Sequence, residues 1–330
     1  MEVSPSENNS HEEISASNKD DQLKLDQCIK EIIEKEGFIR YKVNKQRILT
    51  KGSNYCGFLY EIGVNGESKD GDKELNIFVK LMNEKNYTVT SISDFYKKEL
   101  FAYQDLLKIF AVFQEKANIP EEERYKAVKF YEESYSEAIL LENMTKKGFE
   151  TSSRYDATSL ILAEASIKQL AKFHALSFVL KEKNPKYFNE KIKPLKYCAE
   201  FNETWPPLIE ALRDICLCHG DFKSNNILTK IKHGEIQEMI PIDYQLLFYG
   251  SPIFDFFYFL YCCTDKKFRQ DHTSYLKDLY YETLRKFLGY FELDADVIYS
   301  RDEFEKVYKE KLDLGFACQA QPSYITGLWI

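Results

Sequence analysis

The feature that most constrains this 330-residue chain is the run His219-Gly-Asp-Phe-Lys-Ser-Asn-Asn226, followed after a short gap by Ile242-Asp-Tyr244. Asp221, Lys223 and Asn226 fall in one tight loop, with short strands expected on either side. Asp243 ends the apolar stretch Met239-Ile-Pro-Ile242. Two carboxylates and an amide in this order are the layout of a phosphoryl-transfer site. One carboxylate orients an attacking hydroxyl, while the amide and the other carboxylate hold Mg²⁺ against nucleotide phosphates.

Asp221 is the candidate base, since a carboxylate in a polar loop can take a hydroxyl proton as the P–O bond forms. Alone it reads equally well as a turn cap; the company of Lys223, Asn226 and Asp243 favours the catalytic role. Asn226 and Asp243 are the candidate metal ligands, and two suffice because Mg²⁺ completes its shell with phosphates and water. The five-residue spacing from Asp221 selects Asn226 over Asn225. Lys223 can meet the transferring phosphate as a point charge, or be an ordinary solvated loop lysine. His219 is expected to orient the loop through its ring N–H.

The net charge of −8 argues against non-specific nucleic-acid binding, which needs clustered cations. An apolar content of 44% and an aromatic content of 15% supply a sizeable core. The eight cysteines form no C-x-x-C pair and no zinc spacing, so free thiols in a reducing compartment are expected. The first 22 residues are polar, with no signal-peptide pattern, and read as a disordered tail. No stretch reaches the roughly 18–20 apolar residues that span a bilayer. A soluble, cytoplasmic protein with no membrane partner is expected.

Beyond the tail, the pattern predicts a helix over Leu23–Glu36 and strands over Tyr41–Thr50, Phe58–Ile62 and Glu74–Met82. The Asn-Gly and Asp-Gly pairs within Gly63–Asp72 mark a hairpin turn. A helix opens at Ser91/Ser93, with Ser93 the better cap, and runs to about Phe113. Strand-like pieces follow at Ala127–Glu132 and Ala138–Leu141. Helices are then expected over Ala157–Leu180, Lys193–Leu212, Ser251–Cys263, Tyr275–Phe291 and Arg301–Leu314, interrupted by the strands around the motif. Strands first and helices later predict a sheet-rich N-lobe (23–141) and a helical C-lobe (142–330).

Lys80 is a single cation inside the apolar strand Asn76–Met82, where burial requires an anionic partner. Glu99 is the natural one, because it lies between Phe95 and Tyr103 and interrupts the apolar face of its helix. A strand lysine bonded to a helix glutamate is how kinases fix a nucleotide's phosphates; a surface charge is the plain reading of each. Gly52, Ser53, Asn54 and Tyr55 open a turn, ending at Gly57, that could fold its amides over phosphates, or be an ordinary hairpin. Glu142-Asn-Met144 joins the two lobes and could offer backbone groups to an adenine edge, or be a linker. His174 lies on the apolar stripe of one helix and reads as a core histidine. Asp255 either caps its helix or braces the catalytic loop.

Together these residues resemble the ecdysteroid kinase-like (CHK kinase-like) family, within the aminoglycoside- and choline-kinase-like phosphotransferases. The resemblance runs from about Leu25 to the C-terminus. It is most specific at Cys218–Leu228, Pro241–Leu246 and Tyr249–Asp255, with weaker support at Leu140–Met144 and Leu170–Ala175. It implies an α+β, protein-kinase-like two-lobed fold and ATP- and Mg²⁺-dependent phosphorylation of a small-molecule alcohol, steroid-like or xenobiotic. It also implies Asp221 as base, Asn226 and Asp243 as metal ligands, Lys80–Glu99 as phosphate clamp and Gly52–Gly57 as nucleotide-covering loop.

Three positions depart from the family pattern. Lys223 stands where tryptophan is usual, Asn143 replaces an aspartate with a weakened local hydrogen bond expected, and family chains generally continue beyond Ile330, implying a shortened C-lobe. A protein kinase is a competing reading, which Lys223 favours. Against it, Gly220 takes the place of the arginine in His-Arg-Asp, and no Ala-Pro-Glu follows Asp243. A catalytically inactive nucleotide- or ligand-binding protein is the alternative from another class. The acceptor and the oligomeric state have no readable code.

Overall fold

A computed structural model describes residues 19–48, 57–82, 92–152, 158–197 and 215–315. The first helix, α1 (Lys19–Lys35), begins four residues earlier than the pattern predicts, and Gly37 follows it with a left-handed φ of 79°. Strands β1 (Phe38–Ile48), β2 (Gly57–Ser68) and β3 (Gly71–Met82) form an antiparallel meander, and β4 (Ala138–Glu142) adds to β3. The β2–β3 turn is tighter than expected: Ser68 pairs with Gly71, so only Lys69 and Asp70 lie outside the ladder. Asn65-Gly66 sits within the strand instead, where a Cβ on Gly66 would lie 2.0 Å from the Arg40 carbonyl oxygen.

The parity of the strands decides what each face of this sheet meets. Ile77, Val79 and Leu81 of β3, with Ala138 and Leu140 of β4, pack against Leu25, Ile29, Ile32 and Ile33 of α1. The intervening residues, Met82, Ile139 and Leu141, join the other core, beneath helix α2 (Ile92–Phe101). Lys80 shares that second parity and therefore points toward α2. Helix α2 passes through one wide π turn, Ala102–Leu106, in which Leu107 N–H donates to the Ala102 carbonyl, and continues as α3 (Leu107–Lys116). Ser93 lies in its first turn rather than at the cap, and Ser91 falls outside the described residues.

The predicted strand over Ala127–Glu132 does not form; Phe130 makes a single bridge to Leu141. After β5 (Glu150–Thr151) comes the long helix α4 (Leu160–Lys183), whose N-cap Ser159 accepts from Leu162 N–H. The helix expected over Lys193–Leu212 is absent where it is described, since residues 193–197 are turn and coil; the rest lies outside the described residues. β6 (Cys216–Cys218) pairs with β9 (Phe248–Gly250), and β7 (Ile227–Lys232) with β8 (Glu235–Pro241) and β5. Helices α5 (Pro252–Cys263), α6 (Lys266–Gly289) and α7 (Arg301–Glu310) complete the described chain. Apart from Asp255, α5 is almost wholly apolar, and every residue from Pro252 to Leu260 is buried.

The architecture is thus α+β, with a four-stranded antiparallel sheet early and a mainly helical remainder. No helix among the described residues is long and apolar enough to cross a membrane.

Candidate active site

The loop between β6 and β7 is held by α5, which meets it residue by residue. Asp255 is fully buried and accepts from His219 N–H at 2.7 Å and Gly220 N–H at 2.8 Å. The oxygen that holds His219 N–H, Oδ2, also takes His174 Nε2 at 3.0 Å, while His174 Nδ1 meets the Tyr280 hydroxyl at 2.8 Å. Of the two roles the sequence left open, Asp255 performs the bracing one; Ser251 is the helix cap. One turn along α5, Tyr258 donates to Asp221 Oδ1 at 2.6 Å, and Cys263 Sγ accepts from Ser224 N–H at 3.3 Å.

Gly220 makes the loop's shape possible. Its φ is +82°, and a Cβ there would lie 2.2 Å from the Leu246 carbonyl oxygen. No side chain fits, least of all the arginine of a His-Arg-Asp loop. The fully buried His219 adds a second constraint: its Nε2–H donates to the Ile242 carbonyl at 3.1 Å, and its Nδ1 accepts from Asp221 N–H at 3.4 Å. That arrangement is neutral imidazole, in keeping with burial, which holds the ring's pKa below its ordinary value. His219 therefore ties the Asp221 loop to the residue preceding Asp243.

Asp221 is fully buried and receives three side-chain donors. Tyr258 hydroxyl and Lys223 Nζ (2.9 Å) reach Oδ1, and Asn226 Nδ2 reaches Oδ2 at 2.8 Å. Lys223 is thus buried beside Asp221 rather than solvated in the loop. Asn226 spends its NH₂ group on Asp221, its backbone carbonyl accepts from Ile242 N–H at 2.9 Å, and its amide oxygen remains for another partner. Asp243 stands beside it with a left-handed φ of 68°, an uncommon conformation for a non-glycine residue that functional sites often hold.

Lys80 completes the group. Its Nζ lies 2.6 Å from Glu99 Oε2, 2.9 Å from Asp243 Oδ1 and 3.2 Å from Gln245 Oε1. Burial pushes the Glu99 carboxyl up to about 7 against the pull of Lys80, with Asp243 adding to the rise. Asp221, Lys223, Asn226, Asp243, Lys80 and Glu99 are therefore brought together. Gly52, Ser53, Asn54 and Tyr55 lie outside the described residues. Gly57, which follows them, opens β2, and a Cβ there would meet the Leu81 carbonyl oxygen at 2.1 Å.

Glu142 N–H donates to the Lys129 carbonyl and Asn143 N–H to that of Asn76, both at 2.9 Å, which fixes the end of β4. Met144 is buried just beyond, its carbonyl capped by Gly148 N–H. Asn143 caps the turn that follows: its side-chain oxygen accepts from Thr145 N–H at 3.1 Å and Thr145 Oγ1 at 2.7 Å.

Sequence reasoning missed two residues. Gln245 stands out in retrospect as a lone amide in a buried run. Tyr258 had no such signal, being one aromatic among several on an almost wholly apolar helix. His174, Cys216 and Cys218 cluster within 4.8 Å, yet both ring nitrogens of His174 are already hydrogen-bonded, so the trio does not face a metal.

The ecdysteroid kinase-like family profile matches residues 51–216 and 210–292, and the chain belongs to that family. No curated protein matches it. Solved structures similar to it include choline kinase from Cryptosporidium parvum Iowa II, at 13% identity and a TM-score of 0.41, over 87% of this chain and 82% of that one.

Proposed function

We propose that the chain transfers the γ-phosphoryl group of ATP, with Mg²⁺, to a hydroxyl of a small molecule, an ecdysteroid or another hydrophobic alcohol. The observation that carries this reading is the meeting of Lys80 from β3, Asp221 and Asn226 from one loop, and Asp243 from just beyond β8. Asp221 orients the acceptor hydroxyl and takes its proton. The Asn226 amide oxygen and the Asp243 carboxylate are hard oxygen donors of the kind Mg²⁺ takes, and the ion supplies charge neutralisation at the phosphates. Lys80, held by Glu99, would serve the phosphates, and Lys223, a cation beside Asp221, would meet the one transferred. The backbone of Glu142 and Met144 is assigned to the adenine edge, and Gly52–Tyr55 to the phosphates.

The Gly220 geometry supports a small-molecule rather than a protein acceptor, because an activation segment anchored by an arginine at that position has no room to exist. The free thiols of Cys28, Cys216, Cys218, Cys262 and Cys263 fit a reducing, cytoplasmic setting.

The test is ADP release by the purified protein with Mg-ATP across a panel of hydrophobic alcohols that includes ecdysteroids. Alcohol-dependent release that needs Mg²⁺ and disappears in Asp221→Asn, with the melting temperature kept, is the expected result. ATP binding without turnover on any acceptor would instead identify a nucleotide-binding protein.

A further inference from the structure

Lone-pair counting at Asp221 goes one step beyond naming it as a base. A carboxylate offers two acceptor positions on each oxygen. At Oδ1 the Tyr258 hydroxyl donates at 2.6 Å, and the Lys223 ammonium stands beside it as an ion pair at 2.9 Å. At Oδ2 the described side chains supply one donor, Asn226 Nδ2 at 2.8 Å. The two oxygens are therefore inequivalent before any substrate arrives.

The donors on Oδ1 also differ from each other. Tyr258 is 1% exposed, and its ring stacks on Phe254 within α5. It sits three residues beyond Asp255, so the helix that fixes the loop's backbone through Asp255 also fixes this hydroxyl. Burial and the neighbouring Asp221 charge hold the phenol well above its ordinary pKa, so it stays a donor. Lys223 is a flexible cation, and an arriving phosphate competes for it.

We propose that Tyr258 is a positioning residue for the transfer, anchoring Asp221 through Oδ1 so that Oδ2 is the oxygen that takes the acceptor's proton. The inference rests on the kinase reading above. As the acceptor oxygen bonds to the γ-phosphorus, the bond from phosphorus to the bridging oxygen breaks and its electron pair leaves with ADP. The acceptor's proton passes to Oδ2. Lys223 can follow the transferred phosphoryl group in this step, because Tyr258 at Oδ1 and Asn226 at Oδ2 still hold the carboxylate.

Tyr258→Phe removes the hydroxyl and keeps the ring. With Mg-ATP and the best acceptor of the alcohol panel, kcat is expected to fall tenfold or more, while KM for ATP and the melting temperature stay put. An unchanged kcat overturns the proposal, as does a fall in kcat matched by an equal rise in KM for ATP. The carboxyl-carbon NMR resonance of Asp221, compared between wild type and Tyr258→Phe at one neutral pH, gives a readout that needs no turnover. A displaced resonance supports the contact even if wild type proves inactive, in which case the kinase reading alone falls. Superimposable resonances overturn the role of Tyr258 whatever the kinetics show.

Discussion

Lys80 donates to Asp243 at 2.9 Å although 163 residues separate them in sequence. The contact joins the early sheet to the loop that follows β8, and Glu99, 2.6 Å from the same ammonium, balances it from α2. A buried cation between two carboxylates is stable only as a set, since removing one member leaves uncompensated charge. Mg-nucleotide, by this account, must compete with Lys80 for Asp243.

Lys80→Met is therefore expected to lower kcat/KM for ATP by about two to three orders of magnitude, the usual cost of losing one preorganised electrostatic contact at a reacting group. Steady-state kinetics with varied ATP measures it. A loss under twofold would place the phosphates elsewhere.

Glu99 gives the protein a pH signature. Its carboxyl titrates near 4.5 in the unfolded chain and is pushed up to about 7 by burial, so the folded state binds the proton more tightly. The stability this supplies is complete below 4.5 and is lost as pH rises through about 7. Urea unfolding across that window should show wild-type stability declining more steeply with pH than that of Glu99→Gln. Parallel curves would mean that Glu99 stays ionised throughout.

Gly220→Ala forces a Cβ to within 2.2 Å of the Leu246 carbonyl oxygen at a φ of +82°. A stability loss of about 2 kcal/mol or more is expected from the strained backbone and the displaced neighbour. Thermal denaturation reads it directly, and a melting temperature equal to wild type would show that the loop takes another shape.

Asp255→Asn exchanges an acceptor oxygen for an NH₂ group facing buried donors, the N–H groups of His219 and Gly220 and the ring of His174. The cost is expected to be about 3 kcal/mol. Activity should fall as well, because the loop loses its brace; full stability in urea would contradict the arrangement.

Much of this site was legible because its chemistry demands residue types in a fixed order. Asp221, Asn226 and Asp243 stand out by spacing, and Lys80 by being a charge where the strand pattern calls for an apolar side chain. Glu99 followed as the anion that Lys80 needs. The sequence could not show that Lys223 is buried against Asp221, since a loop lysine and a paired one look alike. Nor could it show Tyr258, because aromatic residues serve cores far more often than carboxylates. The β2–β3 turn was drawn too wide for a physical reason: Gly66 reads as a turn residue but is required by the close approach of β1. The failed strand at Ala127–Glu132 has the right composition and only a single bridge to pair with.

The most direct measurement is mass spectrometry of a small-molecule extract incubated with Mg-ATP and the purified chain. Wild type is expected to add a phosphoryl group to at least one hydrophobic alcohol, and Asp221→Asn, equally well folded, to add none. Phosphate appearing on protein instead, or the same products with Asp221→Asn, would contradict a small-molecule kinase built on Asp221.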